Sequence, residues 1–271
     1  MGKRPIKATE VDYHVHSGES PDASGSIEQF CERAAEIGLK EIVFTEHFDA
    51  TPRDIAYKLY DYEKCRGLVD RMQAQFGDRL SVKLGIEIGY RPGQEVEIIE
   101  FLDGKEFEVV IGAVHWVGRE LICDDFVVGK TEEEAHTRYF ATLLPLVESG
   151  LFDVLAHLDI IKRHGTPLYG PFNVEKWMPF MEPVLKKLIQ KGMALEINTS
   201  GVRQAPGEPY PGLPVMKMYR ELGGKLVTIG SDAHTVDTLG VGVDTAAALL
   251  KEAGFTEFTR FDGRKPIPTP L

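Results

Sequence analysis

Two histidines separated by one residue, in Val11-Asp12-Tyr13-His14-Val15-His16, are where the chemistry of this chain is most legible. The run is β-branched and aromatic, and it breaks into Ser17-Gly18-Glu19-Ser20-Pro21-Asp22, as a strand does before a loop over an active face. On a strand the side-chain period of two sends His14 and His16 to the same side, where they make a two-toothed metal clamp. The same grammar recurs along the chain, an apolar run with a His, Asp or Glu at its C-terminal end. Residues 41–45 deliver Glu46 and His47, residues 82–86 deliver Glu87, and residues 109–114 deliver His115. Residues 152–156 deliver His157, and residues 225–230 deliver Ser231, Asp232 and His234. Six of the eight histidines therefore end strands. With Asp22, Glu87 and Asp232 they form a donor set suited to zinc, iron or manganese, and the lack of thiolates disfavours a structural zinc site. One histidine ending a strand is ordinarily a hydrogen-bonded rim residue. Six in register would each be an expensive buried polar group unless they share a partner.

The elements that must position these groups alternate. A Ser26 cap and a Gly38 stop bracket a helix over 26–37, and further helices are expected over 62–76, 94–102 and 174–190. Thr131 caps a long helix whose first turn carries Glu132, Glu133 and Glu134, where the helix dipole favours anions, so these read as capping groups rather than ligands. Residues 193–198 form another strand, and helices precede Gly223-Gly224 and run to about residue 250. Residues 48–60 and 165–171 read as irregular, and the tail 255–271 as holding one more short strand. Seven strands alternating with helices call for a parallel sheet with right-handed crossovers. A barrel brings every carboxyl end to one mouth, whereas an open sheet would separate its outer strands, so the expected architecture is a seven-stranded α/β barrel.

At 271 residues, with 43% hydrophobic and 27% charged content, the chain suits a single domain over 1–271. No run approaches the roughly 18 apolar residues of a membrane span, and nothing near the start resembles a secretion signal. Cys31, Cys65 and Cys123 form no CxxC pair, which points to a reducing cytoplasm. The net charge of −11 argues against a nucleic-acid partner, since phosphate-backbone binding needs clustered Lys and Arg.

Asp12-x-His14-x-His16, Thr45-Glu46-His47, Glu87, His115, His157 and Ser231-Asp232-Ala233-His234 resemble, in this order, the motifs of the PHP (polymerase and histidinol phosphatase) superfamily. Residues 112–116, 156–163 and 196–203 further resemble its histidinol-phosphate phosphatase branch. The resemblance implies a distorted (β/α)7 barrel with a metal site at the C-terminal ends of the strands and three divalent ions. It implies that His14, His16, Glu87 and Asp232 hold the first ion, that Glu87 bridges to a second held by His115 and His157, and that Asp22, His47 and His234 hold the third. Some relatives carry His where this chain has Asp22. Asp12 and Glu46 are expected to orient imidazoles by hydrogen bonds.

Phosphate-ester hydrolysis fits this chemistry. Three divalent ions bring about +6 against about −3 from Asp22, Glu87 and Asp232, so the site attracts a phosphate dianion despite the acidic chain. A water shared by two metals is acidified toward neutrality and supplies hydroxide for in-line attack on phosphorus. Arg163 and Arg203, both beyond strand ends, are candidates to clamp the phosphate, with Arg163 acting at the reacting group. The donor to the leaving alkoxide is left open among a metal-bound water, one of the metal-site histidines and, as the weaker option, His164, while Asp124 and Asp125 are candidates to face a substrate amine. The branch resemblance implies L-histidinol phosphate as substrate, in histidine biosynthesis. Another small phosphate ester or nucleotide is the first alternative. An amidohydrolase-like deaminase or cyclic amidase is the second, since that class also places HxH on its first strand. A purely structural centre and a PHP-type nuclease are further rivals, disfavoured by open coordination positions and by the lack of a basic groove. The oligomeric state is left open.

Overall fold

The computed structural model describes residues 6–123 and 126–271. The first half comprises β1 (Val11–Val15), α1 (Ile27–Glu36), β2 (Glu41–Phe44), β3 (His47–Asp49), α2 (Tyr62–Phe76), β4 (Ser81–Leu84), β5 (Ile86–Gly89), α3 (Glu95–Leu102) and β6 (Val110–Ala113). A small hairpin, β7 (Trp116–Val117) and β8 (Glu120–Leu121), leads to α4 (Glu132–Ser149), β9 (Val154–Leu155), α5 (Ile161–Tyr169) and α6 (Val174–Lys191). Then come β10 (Ala194–Asn198), α7 (Leu213–Glu221), β11 (Val227–Gly230), α8 (Val243–Glu252) and a last hairpin of β12 (Glu257–Asp262) and β13 (Lys265–Pro270).

The result is a mixed α/β fold. One parallel sheet has the order β1-β2-β4 and a second, also parallel, the order β11-β10-β9-β6-β5-β3. Strand β2 passes into β3 across Thr45-Glu46, and β4 into β5 across Gly85, each time changing sheet. A Cβ at Gly85 would lie 3.0 Å from Thr45 Cγ2 and from the Val109 carbonyl, a tight approach that glycine relieves where the chain crosses. The two sheets also meet at β1 and β11, where the Asp232 N–H donates to the His14 carbonyl (2.8 Å) and the His16 N–H to that of Ala233 (2.9 Å).

The two caps expected from the sequence, Ser26 and Thr131, hold, and the structure adds Asp61 and Asn173. Ser26, Asp61, Thr131 and Asn173 each accept a backbone N–H of the first turn of α1, α2, α4 and α6. Along α1 the buried residues Ile27, Phe30, Cys31 and Ala34 recur at helical spacing, and burial of each large apolar side chain contributes about 1.5–3 kcal/mol. The expected loop at 165–171 is largely the end of α5. Tertiary packing overrides Gly165 and Pro167 there, because Gly165 lies against the His136 ring of α4.

The expected single strand in the tail is a two-stranded antiparallel hairpin. Tyr13 donates its hydroxyl to Glu41, Arg260 pairs with the same carboxylate (Nε 2.9 Å), and the Phe261 N–H donates to Tyr13 Oη (3.0 Å). This buried network ties β12 across β1 and β2. In β13 the odd-numbered residues face β12, as the Leu271 N–H donating to the Thr256 carbonyl (3.0 Å) confirms. Pro266, Pro268 and Pro270 therefore occupy every position whose N–H would point outward. Among the described residues no helix is long and apolar enough to cross a membrane.

Candidate metal centre

The strands place all nine expected ligands around one cavity or in its floor. His14 and His16, on β1 and just beyond it, are fully buried with ring centroids 5.0 Å apart. Glu87 on β5 is the hub. Its Oε2 lies 2.9 Å from His47 Nδ1, 3.4 Å from His14 Nε2 and 3.5 Å from His16 Nε2, and its Oε1 lies 3.1 Å from His157 Nε2 and 3.4 Å from His115 Nε2. Asp232 Oδ1 stands 3.5 Å from His16 Nε2 and 3.5 Å from His234 Nδ1. Asp22 Oδ2 stands 3.4 Å from the Nε2 atoms of both His47 and His234.

These atoms are spaced as ligands of shared ions are. Donors held at 2.0–2.1 Å from a tetrahedral ion stand about 3.4 Å apart. Three sets have all their ligand atoms within 4.8 Å of one another: His14, His16 and Asp232; Glu87, His115 and His157; and His16, His47 and His234. Several of the atoms, His14 Nε2, both His16 nitrogens and Glu87 Oε2, are buried with no hydrogen-bond partner. Buried polar atoms without partners are costly, and a set of imidazoles and carboxylates with orphaned tips fits divalent ions. His16 belongs to two of the three sets, so the clamp strand sits at the junction of the centre.

Electrostatics without ions tells the same story. Burial opposes ionisation of Glu87, yet the imidazoles of His14, His115 and His47 hold its carboxyl well below the usual range. Burial likewise opposes ionisation of Asp232, which His14 and His16 pull well below its ordinary value. His157 and Asp232 both adopt positive φ, 21° and 53°, a conformation L-residues avoid and one that persists where surrounding bonds enforce it.

The supporting carboxylates divide their work differently from expectation. Among the described residues, neither Asp12 nor Glu46 hydrogen-bonds to an imidazole ring. Asp12 accepts the backbone N–H groups of Ser231 (2.8 Å) and Gly240 (3.1 Å), so it fixes the turn that carries Asp232. Glu46 accepts Ser17 Oγ (2.6 Å) and Ser20 Oγ (2.5 Å), so it fixes the loop that carries Asp22, and burial pushes it up to about 7. The carboxylate that orients an imidazole is Glu196, in the middle of β10. Its Oε1 meets His14 Nδ1 at 2.6 Å, turning Nε2 toward Glu87, while its Oε2 accepts the His157 N–H at 3.0 Å. The sequence signal was a lone carboxylate inside an apolar strand, which cannot be buried without partners. Glu196→Gln keeps the shape but removes the charge behind His14, and metal affinity is expected to fall about 10–100-fold. Competition with a chelator measures it, and unchanged affinity would show that Glu196 only fills space.

Arg163 lines the cavity, together with Asp49, Asp54, Ile55, Ile122, Ile160 and His164. Next to Arg163, Lys162 is held in the interior by Asp159 (2.9 Å) and Glu208 (2.8 Å), which anchors the first turn of α5. Arg203 is not among the lining residues. Its Nη2 donates to the Ser231 carbonyl (2.8 Å), bracing the same turn that Asp12 holds. His164 is a poor acid, because burial and the Arg163 charge lower it to about 4 and leave it neutral at pH 7. Asp124 and Asp125 lie outside the described residues.

The family model for the PHP domain matches residues 12–200. The chain belongs to the PHP domain family. Among PHP relatives, the histidinol-phosphatase of Lactococcus lactis is 32% identical over 266 residues, covering 94% of this chain and 95% of the relative. A probable histidinol-phosphatase of Deinococcus radiodurans is 28% identical, covering 95% and 98%. The crystal structure of the L. lactis histidinol phosphate phosphatase, complexed with zinc, L-histidinol and phosphate, superposes with a TM-score of 0.87 at 30% identity, covering 96% of this chain and 99% of that one. The PHP fold and the clustered imidazoles and carboxylates thus occur together over nearly the whole chain.

Proposed function

We propose that this chain is a metal-dependent phosphomonoesterase that hydrolyses L-histidinol phosphate to L-histidinol and inorganic phosphate. One observation carries the reading: five imidazoles meet at the buried carboxylate of Glu87, on the floor of a cavity that Arg163 also lines. The L. lactis relative, similar over nearly its full length, binds zinc, L-histidinol and phosphate. His14, His16, Glu87 and Asp232 would hold one ion, Glu87, His115 and His157 a second, and Asp22, His47 and His234 a third. Bound divalent ions supply Lewis acidity at the phosphoryl oxygens and a more acidic water.

The protein's own groups do the rest. Arg163 donates N–H groups to the phosphate, with Arg203 behind it fixing the Ser231–Asp232 turn and completing the cationic side of the site. Ile55, Ile122 and Ile160 form an apolar wall that limits water around the leaving group. The chain is read as one unit over 1–271, a closed (β/α)7 barrel with the centre at the carboxyl ends of its strands. The hydrogen bonds between β1 and β11 support that closure. The partner is a small phosphomonoester rather than nucleic acid, and the compartment is the cytoplasm.

Stripped protein restored with zinc, iron or manganese is expected to release phosphate from L-histidinol phosphate and to lose that activity again with chelator. Ammonia release from a cyclic amide or a purine, with phosphate esters left intact, would replace this reading with that of an amidohydrolase.

A further inference from the structure

The cavity that Arg163 lines also carries two carboxylates, Asp49 and Asp54, that are not among the expected metal ligands. Asp49, at the end of β3, is 3% exposed. Its Oδ1 accepts the Thr51 N–H (2.7 Å), but its Oδ2 has no hydrogen-bond partner. Room for this carboxylate is made by Gly89 on the neighbouring β5, where a Cβ would fall 2.0 Å from Asp49 Oδ2. Asp54 lines the same cavity. It is held in place by the Ala56 N–H on Oδ1 (2.8 Å) and Trp116 Nε1 on Oδ2 (2.7 Å).

Two carboxylates in one cavity repel each other and are costly unless a cation comes between them. Among the described residues the neighbouring walls are apolar, with Phe48, Ile55 and Ile122. Among the described residues, Arg163 is the one Lys or Arg side chain that lines the cavity. A ligand with an anionic end at Arg163 and the metal floor, and a cationic end at the aspartates, matches this distribution of charge.

We propose that Asp49 and Asp54 form the subsite for a protonated nitrogen on the alcohol half of the phosphate ester, and so set a preference for cationic phosphomonoesters. The proposal rests on the phosphomonoesterase reading above and adds the residues that select the alcohol. An N–H on that nitrogen donates to Asp49 Oδ2, which then gains the partner it lacks, and the Asp54 charge completes the cage.

The test is the ratio of kcat/KM for L-histidinol phosphate to that for p-nitrophenyl phosphate, whose alcohol half is uncharged, in the zinc-loaded protein. Asp49→Asn keeps the acceptor oxygen that holds Thr51, and Asp54→Asn keeps the one that holds Ala56 but loses the Trp116 bond, so thermal melting is read for both variants. Each is expected to lower the ratio about 30-fold, and to weaken inhibition of p-nitrophenyl phosphate hydrolysis by L-histidinol at least tenfold. Zinc per chain is measured alongside. An equal fall on both substrates with reduced zinc would mean that Asp49 acts through its neighbour His115, and would overturn the subsite. An unchanged ratio in both variants would overturn it as well. If the wild type fails on L-histidinol phosphate itself, the substrate reading is lost. The subsite is then judged separately on O-phosphoethanolamine against n-propyl phosphate, where equal wild-type kcat/KM sinks it.

Discussion

Glu87→Gln is expected to reduce kcat/KM on the phosphate ester by about 10³-fold or more. The substituted side chain has the same shape, so the loss isolates the charge. Five imidazoles stand within 3.5 Å of this carboxylate, and it is 1% exposed. Removing one partner from a buried charged cluster costs about 3–5 kcal/mol, which is two to nearly four decades in rate if the loss falls on the transition state. Metal content should fall by at least one equivalent per chain in the same preparation. His157→Ala should behave alike, since His157 Nε2 reaches Glu87 Oε1 from β9 and the ring contributes little to the apolar core. Near-normal turnover with a full metal complement in Glu87→Gln would remove the hub from the mechanism.

The second large effect concerns the protein stripped of metal. Burial by itself would lower His14 and His47, yet the carboxylates around them win. Glu196, Glu87 and Asp232 raise His14 well above its usual 6.5, and Glu87 and Asp22 do the same for His47. His115 and His234 shift upward too, against burial, through Glu87 and through Asp22. A folded-state pKa above the unfolded one means that the folded state binds more protons in that window. The stabilisation is complete below 6.5 and is lost as pH rises through the folded values. Stripped protein should therefore melt at lower temperature at about pH 9 than at about pH 6. The loaded protein should go the other way, since protons compete with metal for the imidazoles. Thermal unfolding across that range, with and without zinc, reads both slopes, and a stripped protein that grows steadily more stable toward alkaline pH would contradict the cluster's charge balance.

Much of this site is written in local spacing. The HxH pair on β1 and the His, Asp or Glu after each apolar run could be found because a parallel strand buried on both faces is apolar until it reaches the mouth, so a polar residue there stands out. The caps of α1 and α4 were equally legible, since Ser26 and Thr131 act on N–H groups within three residues. What escaped depends on distant contacts. Glu196 was passed over as strand text, because its partners His14 and His157 are 182 and 39 residues away. Asp49 fell in a stretch read as irregular, and only the parallel pairing of β3 with β5 brings it over Gly89. The tail was undercounted because alternating prolines ordinarily demote a strand, whereas here they all fall on the side of β13 that β12 does not use.

Those prolines have a consequence for how this molecule keeps company with its own kind. A free β edge is a template for another chain, and natural proteins blunt such edges. The outer rim of β13 offers carbonyl groups but no amide hydrogens at Pro266, Pro268 and Pro270. An incoming strand would find half its bonds missing and three rings in its path. Strand β13 thus forms a border that resists recruitment into cross-β stacks, and crowding many copies together should not zip them along this hem.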